Sequence, residues 1–479
     1  MFDRAEVAVQ AALDAGASYA DARAVASKTE NIEVRNRKLD EFDVGERVGV
    51  GVRALIGSSW GFASTGDLTD AGLAECGRNA ARIAQASALV AGPKLEFADV
   101  PVVSASWETP HVENPFEVPT SEKIDMLIDV TGTMQNVDGI GQTYGLVSSW
   151  DTEKWFASSQ GHQIHQHIVE AGGYYTATAI GEHETQVRSY PQSFGQYEGG
   201  GYETIRKWNY QEHAQRIAEE AVALLSAPEM DERETNLILE SSQLALQIHE
   251  SVGHAIELDR ILGWEAAFAG TSHLELDKLG THRYGSDLMN ITADATIPGA
   301  LGTFGFDDEG SPAQCVDIVK EGIWVGTLSG RDSAAVAGLP SGGMVRGDGY
   351  NRIPMVRMTN VGLLPGEGTL AEIISDTEDG VYMSTNRSWS IDDRRLNFQF
   401  GCEIGWEVKN GELGRMVKNP TYTGITPQFW GSMDRLAGVD EWTHWGVPNC
   451  GKGQPVQVAH TGHSAAPARF KNVRVGVKA

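Results

Sequence analysis

Leu237-Ile238-Leu239-Glu240-Ser241-Ser242-Gln243-Leu244-Ala245-Leu246-Gln247-Ile248-His249-Glu250-Ser251-Val252-Gly253-His254 is the stretch from which the rest of the chain is read. An apolar run of strand type gives way to two serines, residues that cap helices well, and the helix they open carries two histidines flanking a glutamate. These are the parts of a zinc hydrolase. Neutral imidazoles bind the ion, an open position takes water, and a neighbouring carboxylate moves the proton.

The spacing is unusual. In the common His-Glu-x-x-His motif the two imidazoles sit about 40° apart around a helix of 3.6 residues per turn. His249 and His254 are five positions apart, which on a regular helix separates them by about 140°. One inserted residue, taken up as a single π turn, returns both rings to one face, and Gly253 is where the backbone deforms most easily. The competing reading is an ordinary amphipathic helix with two satisfied histidines. Spacing alone does not separate the two.

The segment His249 to Asp259, His-Glu-Ser-Val-Gly-His-Ala-Ile-Glu-Leu-Asp, resembles the HExxxH signature of the TldD/TldE (PmbA) metallopeptidases, in the TldD branch that keeps the metal site. Further segments resemble the same family in the same order. They are Gly49-Val50-Gly51-Val52-Arg53-Ala54 followed by Gly61-Phe62-Ala63, Asp307-Asp308-Glu309-Gly310 with Pro312, Arg357-Met358-Thr359-Asn360, and Cys450-Gly451-Lys452-Gly453-Gln454. The resemblance implies a zinc-dependent peptidase with His249, His254 and Cys450 as ligands and Glu250 as general base and acid. It also implies a TldE-like metal-free partner subunit in a heterodimer, or self-association, and an extended or modified peptide as substrate.

Composition sets the bounds. A chain of 479 residues is long for one domain, and the best linker is Ala227-Pro228-Glu229-Met230-Asp231-Glu232-Arg233-Glu234, with proline, charge and no periodicity. This divides the chain into 1–230 and 231–479. A formal charge of −27 repels nucleic acid and anionic lipid, and no basic run offsets it. There is no basic and apolar leader and no long uncharged apolar window, so the expected location is the cytoplasm. Cys76, Cys315, Cys402 and Cys450 lie far apart without a CxxC pair, which suits a reducing compartment and leaves one free to act as a single thiolate ligand.

The fold class expected is α+β, an N-terminal part of helices on a sheet and a strand-rich C-terminal part around the motif helix. Helices are predicted over Arg4–Ser27, Asp67–Ser87 with Asp67 or Thr69 as cap, Thr120–Met134 and Tyr202–Ala227. Asn31–Val52 predicts two or three strands, and Gly145–Val187 several more. In the C-terminal part, Lys320-Glu321-Gly322 and Asn410-Gly411 between alternating runs are hairpin signals.

The third ligand must come from outside the helix, from Glu257, Cys402, Cys450, His444, His460 or His463. Cys450 lies in a glycine-bordered loop, whereas Cys402 sits in a strand-like run of core type. The resemblance selects Cys450. Glu257 is three residues from His254, close enough to support it from behind. Asp307, Asp308 and Glu309 read as an acidic turn near the site that orients a ligand histidine, since the spacing of a calcium loop is absent. Tyr350 and His282 are candidate donors to a transition-state oxyanion. His162, His165 and His167 are nearby one another, but period-two polar residues more often form the solvated face of a sheet. Two rival functions stay open: hydrolysis of an amide in a small molecule or natural product, and a metal-free binding subunit.

Overall fold

The computed structural model describes residues 1–90, 95–268 and 270–477 and builds most of its strands into two large sheets. Helix α1 (Phe2–Asp14) stops far short of Ser27, where the alanine periodicity predicts its end. From Tyr19 the same kind of sequence is strand β1 (Tyr19–Arg35), with Ala20, Ala22 and Ala24 fully buried. Alanine fits either period. The period of two prevails because these small side chains share a core with α1 and with α2 (Asp70–Ser87), which are packed against the sheet. Thr69 caps α2, its side chain accepting from the Gly72 N–H.

Strand β2 (Lys38–Ile56) pairs antiparallel with β1 along its length, so two of the strands expected over Asn31–Val52 are present, as the arms of one long hairpin. With β3 (Ser59–Thr65), β4 (Ser104–Glu108), β5 (Ile140–Ser158) and β6 (Gln163–Ile180) it forms a sheet of order β3-β2-β1-β5-β6-β4; β7 (Thr185–Tyr190) and β8 (Gln196–Gly199) also pair with β6. Helix α3 (Thr120–Gln135) and the helix Tyr210–Ser226 share a second core with this sheet. The helix predicted over Tyr202–Ala227 is therefore split. Glu203–Arg206 makes one turn, and Asn209, in the left-handed region at φ 44°, breaks the run.

The chain then enters β9 (Arg233–Leu239), whose Leu237, Ile238 and Leu239 are fully buried. β9 pairs with Ala468–Val475, which pairs with Thr421–Ile425, then Asn397–Lys409, then Asp379–Ile391, and this last strand pairs back with β9. Five strands thus close a ring. Both predicted hairpin turns are present, with Glu321 and Gly322, and Asn410 and Gly411, at positive φ. The architecture is α+β, with a strand-rich C-terminal half.

Buried ion pairs join the first sheet to the second half. Arg23 meets Asp308 at 3.0 Å, and Arg53 meets Glu309 at 3.0 Å while also holding Asp21 at 2.6 Å. This corrects the expectation that the acidic turn orients a ligand histidine: Asp308 and Glu309 face arginines of β1 and β2 instead. Glycines 49 and 51 serve the same junction. A Cβ on Gly49 would lie 2.4 Å from the Tyr350 ring and one on Gly51 would lie 2.0 Å from the Tyr350 carbonyl oxygen. Among the described residues no helix is long and apolar enough to cross a membrane.

Candidate metal centre

The helix Ser241–Ile248 follows β9 after a single residue, and that residue, Glu240, is its cap. The expectation of serine caps is corrected here. Glu240 is held by its N–H donating to the Met383 carbonyl at 3.0 Å, and its carboxylate accepts the Ser242 N–H at 2.9 Å and both serine hydroxyls. All eight helix residues are buried, the polar ones included. Gln243 donates to the Tyr422 hydroxyl at 2.9 Å, and that hydroxyl donates to Gln247 at 3.0 Å, which offsets part of the cost of burying these amides.

At His249 the helix widens. The His254 N–H donates to the His249 carbonyl at 3.1 Å, an i to i+5 bond, and His249–Gly253 forms a π turn. The inserted residue is built in. The Ser251 hydroxyl donates to the Gln247 carbonyl at 2.6 Å and accepts from the Trp430 indole at 2.9 Å, and the Ser251 carbonyl accepts the Tyr284 hydroxyl at 2.5 Å. Gly253 lies where the sequence places it, at the end of the widened turn. It has no positive φ; a Cβ there would lie 2.1 Å from the Met358 sulfur.

The π turn brings the His249 and His254 rings to 4.8 Å, and Cys450, from the strand Thr443–Lys452, completes a group of three. One ligand atom from each of His249, His254 and Cys450 lies within 4.8 Å of the others, and all three residues are buried. Among the described residues no other such group of three forms.

Hydrogen bonds decide which ring nitrogens face one another. His463 Nδ1 lies 3.0 Å from the Val361 carbonyl, which can only accept, so Nδ1 carries the proton and Nε2 is the acceptor. His463 Nε2 lies 2.7 Å from His249 Nδ1, so His249 is protonated on Nδ1 and its Nε2 lone pair is free. His254 is set in the same way. Its Nδ1 lies 3.1 Å from the Glu257 carboxylate, and its Nε2 faces the Cys450 sulfur at 3.9 Å.

The electrostatics favour ligation. Burial holds both imidazoles below their ordinary range and therefore neutral. Burial pushes the Cys450 thiol up, but the Arg357 guanidinium and His254 more than offset it and leave it below its usual value. Burial likewise opposes charge on Glu257, which Lys452 and His254 outweigh, holding it well below the carboxylate range. Fully buried Lys452 lies 3.2 Å from Glu257 and 2.8 Å from Asp259, and donates to the Val356 carbonyl at 2.9 Å. Glu250 is fixed by Arg395, 2.6 Å away. Arg395 stands at φ 60° in the turn between two ring strands, where Asp392 binds the N–H groups of Leu396 and Asn397.

The remaining candidates lie elsewhere. His463 stands behind His249, His460 meets Glu170 at 2.8 Å, and His444 meets the Ser464 hydroxyl at 2.6 Å. Cys402 is a core thiol that burial pushes far up. His165 and His167 face Glu153 and Asp151 across strands, and His162 meets Ser158. Tyr350 packs on Gly49, and the His282 ring packs 6.1 Å from Tyr284. Sequence reasoning missed Arg395 and the anchoring role of Lys452. The two arginines of Asp392-Asp393-Arg394-Arg395, crowded into a turn, were the available signal.

The chain matches three descriptions of one family: PmbA/TldA metallopeptidase domain 1 over residues 20–84, the central domain over 113–225, and the C-terminal domain over 232–476. The chain belongs to the PmbA/TldD metallopeptidase family. Within it, a metalloprotease of Methanocaldococcus jannaschii is 28% identical over 93% of this chain and 94% of its own. A zinc metalloprotease TldD homolog of Saccharolobus solfataricus is 25% identical over 50% of this chain and 51% of its own. The PmbA/TldD fold extends over the whole chain. TldE of Thermococcus kodakarensis superposes with a TM-score of 0.72 over 98% of this chain and 99% of its own, at 15% identity.

Proposed function

We propose that this chain is the metal-bearing, TldD-type subunit of a zinc peptidase that hydrolyses amide bonds in unstructured or modified peptides. The observation that carries the reading is the convergence of two tautomer-fixed imidazoles and a thiol of lowered pKa beside a carboxylate. This donor set suits zinc, which takes nitrogen and sulfur ligands and in catalytic sites keeps a position open. His249 Nε2, His254 Nε2 and Cys450 Sγ are the atoms that would hold it. Bound there, zinc would supply Lewis acidity toward a carbonyl and toward water.

The chain's own groups do the rest. Glu250, held in one rotamer by Arg395, takes the proton of the attacking water and returns it to the leaving amine. Glu257 and His463 keep the two imidazole lone pairs turned toward the thiol. Folded proteins are excluded as substrates, since an enclosed site admits only extended chains, whose backbone can pair with a strand edge. A TldE-like metal-free subunit, or a second copy of this chain, completes the enclosure. Four cysteines without a disulfide suit the cytoplasm.

Metal analysis of the purified chain, together with peptide cleavage by the parent and by Glu250→Gln, tests the reading. About one zinc per chain is expected, kept in the variant while turnover falls about 10² to 10⁴-fold. Cleavage within about twofold of the parent would remove Glu250 as the proton carrier. Zinc binding with cleavage only of small amides would move the substrate out of the peptide class.

A further inference from the structure

We infer that a cavity between the first sheet and the metal-bearing half binds a carboxylate of the peptide substrate, with the Arg346 guanidinium as its anchor. The inference rests on the peptidase reading and names what that substrate must carry. The cavity is about 490 Å³ in volume. One wall is the face of the first sheet, with Trp150 and Ile168; the other holds Phe304, Tyr350 and, from the hairpin that carries Cys450, Pro448 and Val458. It combines apolar walls with a few polar groups, as ligand sites do.

Arg346 lies in this wall without a salt bridge, although Glu170 and Asp308 are near enough to favour its charge. Its guanidinium stands 5.6 Å from the Phe304 ring centre and donates to the Met358 carbonyl, while its buried Nε–H has no partner. The other buried guanidiniums of this junction, Arg23 and Arg53, each hold a carboxylate. Arg357 is committed to the carbonyls of Gln457 and Cys450. Among the described residues no carboxylate lies within ion-pairing distance of Arg346.

The acids that share the cavity bond to other groups than Arg346. Glu170 is bonded to His460 at 2.8 Å, Asp348 accepts the Val458 N–H at 2.9 Å, and Asp43 is exposed to solvent. Burial, with Arg357 nearby, pulls Arg346 down to about 10. A buried cation without a partner is costly, and a guanidinium fork fits a carboxylate with two parallel bonds. A peptide offers that group at its C-terminus or on an aspartate or glutamate.

Calorimetric titration of the full-length protein, at low temperature and with cleavage followed by mass spectrometry, separates these sources. The probes are N-acetyl-Phe-Gly as free acid and as amide, and the amides of N-acetyl-Phe-Asp and N-acetyl-Phe-Asn. The free acid should bind at least about tenfold tighter than its amide if the C-terminus is read, and the aspartate probe tighter than the asparagine one by a similar factor if a side chain is read. Arg346→Gln should bring all four to one affinity, and Arg346→Lys, which keeps the charge without the fork, should retain part of the preference. Equal affinities in the parent, or a preference that survives in either variant undiminished, would overturn the assignment. Carboxylate-dependent binding without any cleavage of the probes or of longer peptides would fault the peptidase reading and leave the Arg346 site standing.

Discussion

His463 Nε2 lies 2.7 Å from His249 Nδ1, and the direction of that bond is set one step further back, at the Val361 carbonyl. A backbone carbonyl thus determines which nitrogen of a candidate ligand is free. Replacing His463 by Phe removes the acceptor and leaves the buried His249 N–H unpaired. Zinc affinity, read by competition with a chelator, should fall roughly 10- to 100-fold while the far-ultraviolet dichroism is kept. Unchanged affinity would show that His249 needs no such support.

Lys452 makes a sharper prediction because it is fully buried between two carboxylates. Lys452→Met should cost about 3–5 kcal/mol in denaturant unfolding, since Glu257 and Asp259 stay buried with less compensation. Met fills most of the same volume, so the loss is electrostatic. A change below about 1 kcal/mol would mean that the two acids take up protons at little cost.

Deletion of Ser251 nominally restores the four-residue step of ordinary zincins. The deleted residue is also the one bonded by Gln247, Trp430 and Tyr284, and everything after it turns by about 100°. The deletion variant should lose both stoichiometric zinc and cleavage. Full zinc content in that variant would show that the π turn is dispensable.

Glu309→Gln separates the junction from the site. It leaves Arg53 with Asp21 and Arg23 with Asp308 but removes one ion pair across the two halves, so the unfolding midpoint should drop. Zinc content should not change. Loss of zinc in this variant would restore the acidic turn to the metal site.

The parts of the site that were legible in sequence are those in which one short segment states its own geometry. A step of five positions from His249 to His254 requires a widened helix, and the i to i+5 bond is there. Cys450 became legible through the resemblance of its segment, which the glycines made read as a loop but which is part of the strand Thr443–Lys452. His463, Lys452 and Arg395 act through partners 145 to 214 positions away, and nothing local to each marks its role. The alanines of β1 were misread because a methyl group suits a helix and a tightly covered strand equally, and only the helices packed on the sheet decide. Gly253 lies in the widened turn as its spacing predicts, and the Met358 sulfur that crowds the position is a second constraint, distant in sequence.

The hairpin Thr443–Lys452 with Gln457–Ala465 is a two-stranded sheet of its own, and it carries the thiol, the lysine and the relay histidine together. These three contributions therefore behave as one cassette. Sliding its register by a single pair would withdraw all of them at once, whereas the π turn stays locked in the core by Trp430 and Tyr284. Dismantling of the centre is accordingly expected to be ordered. After chelation, amide exchange should quicken along this ribbon while the histidine-bearing turn keeps its protection, so the apoprotein retains two of its three ligands preassembled and waits only for the ribbon to dock.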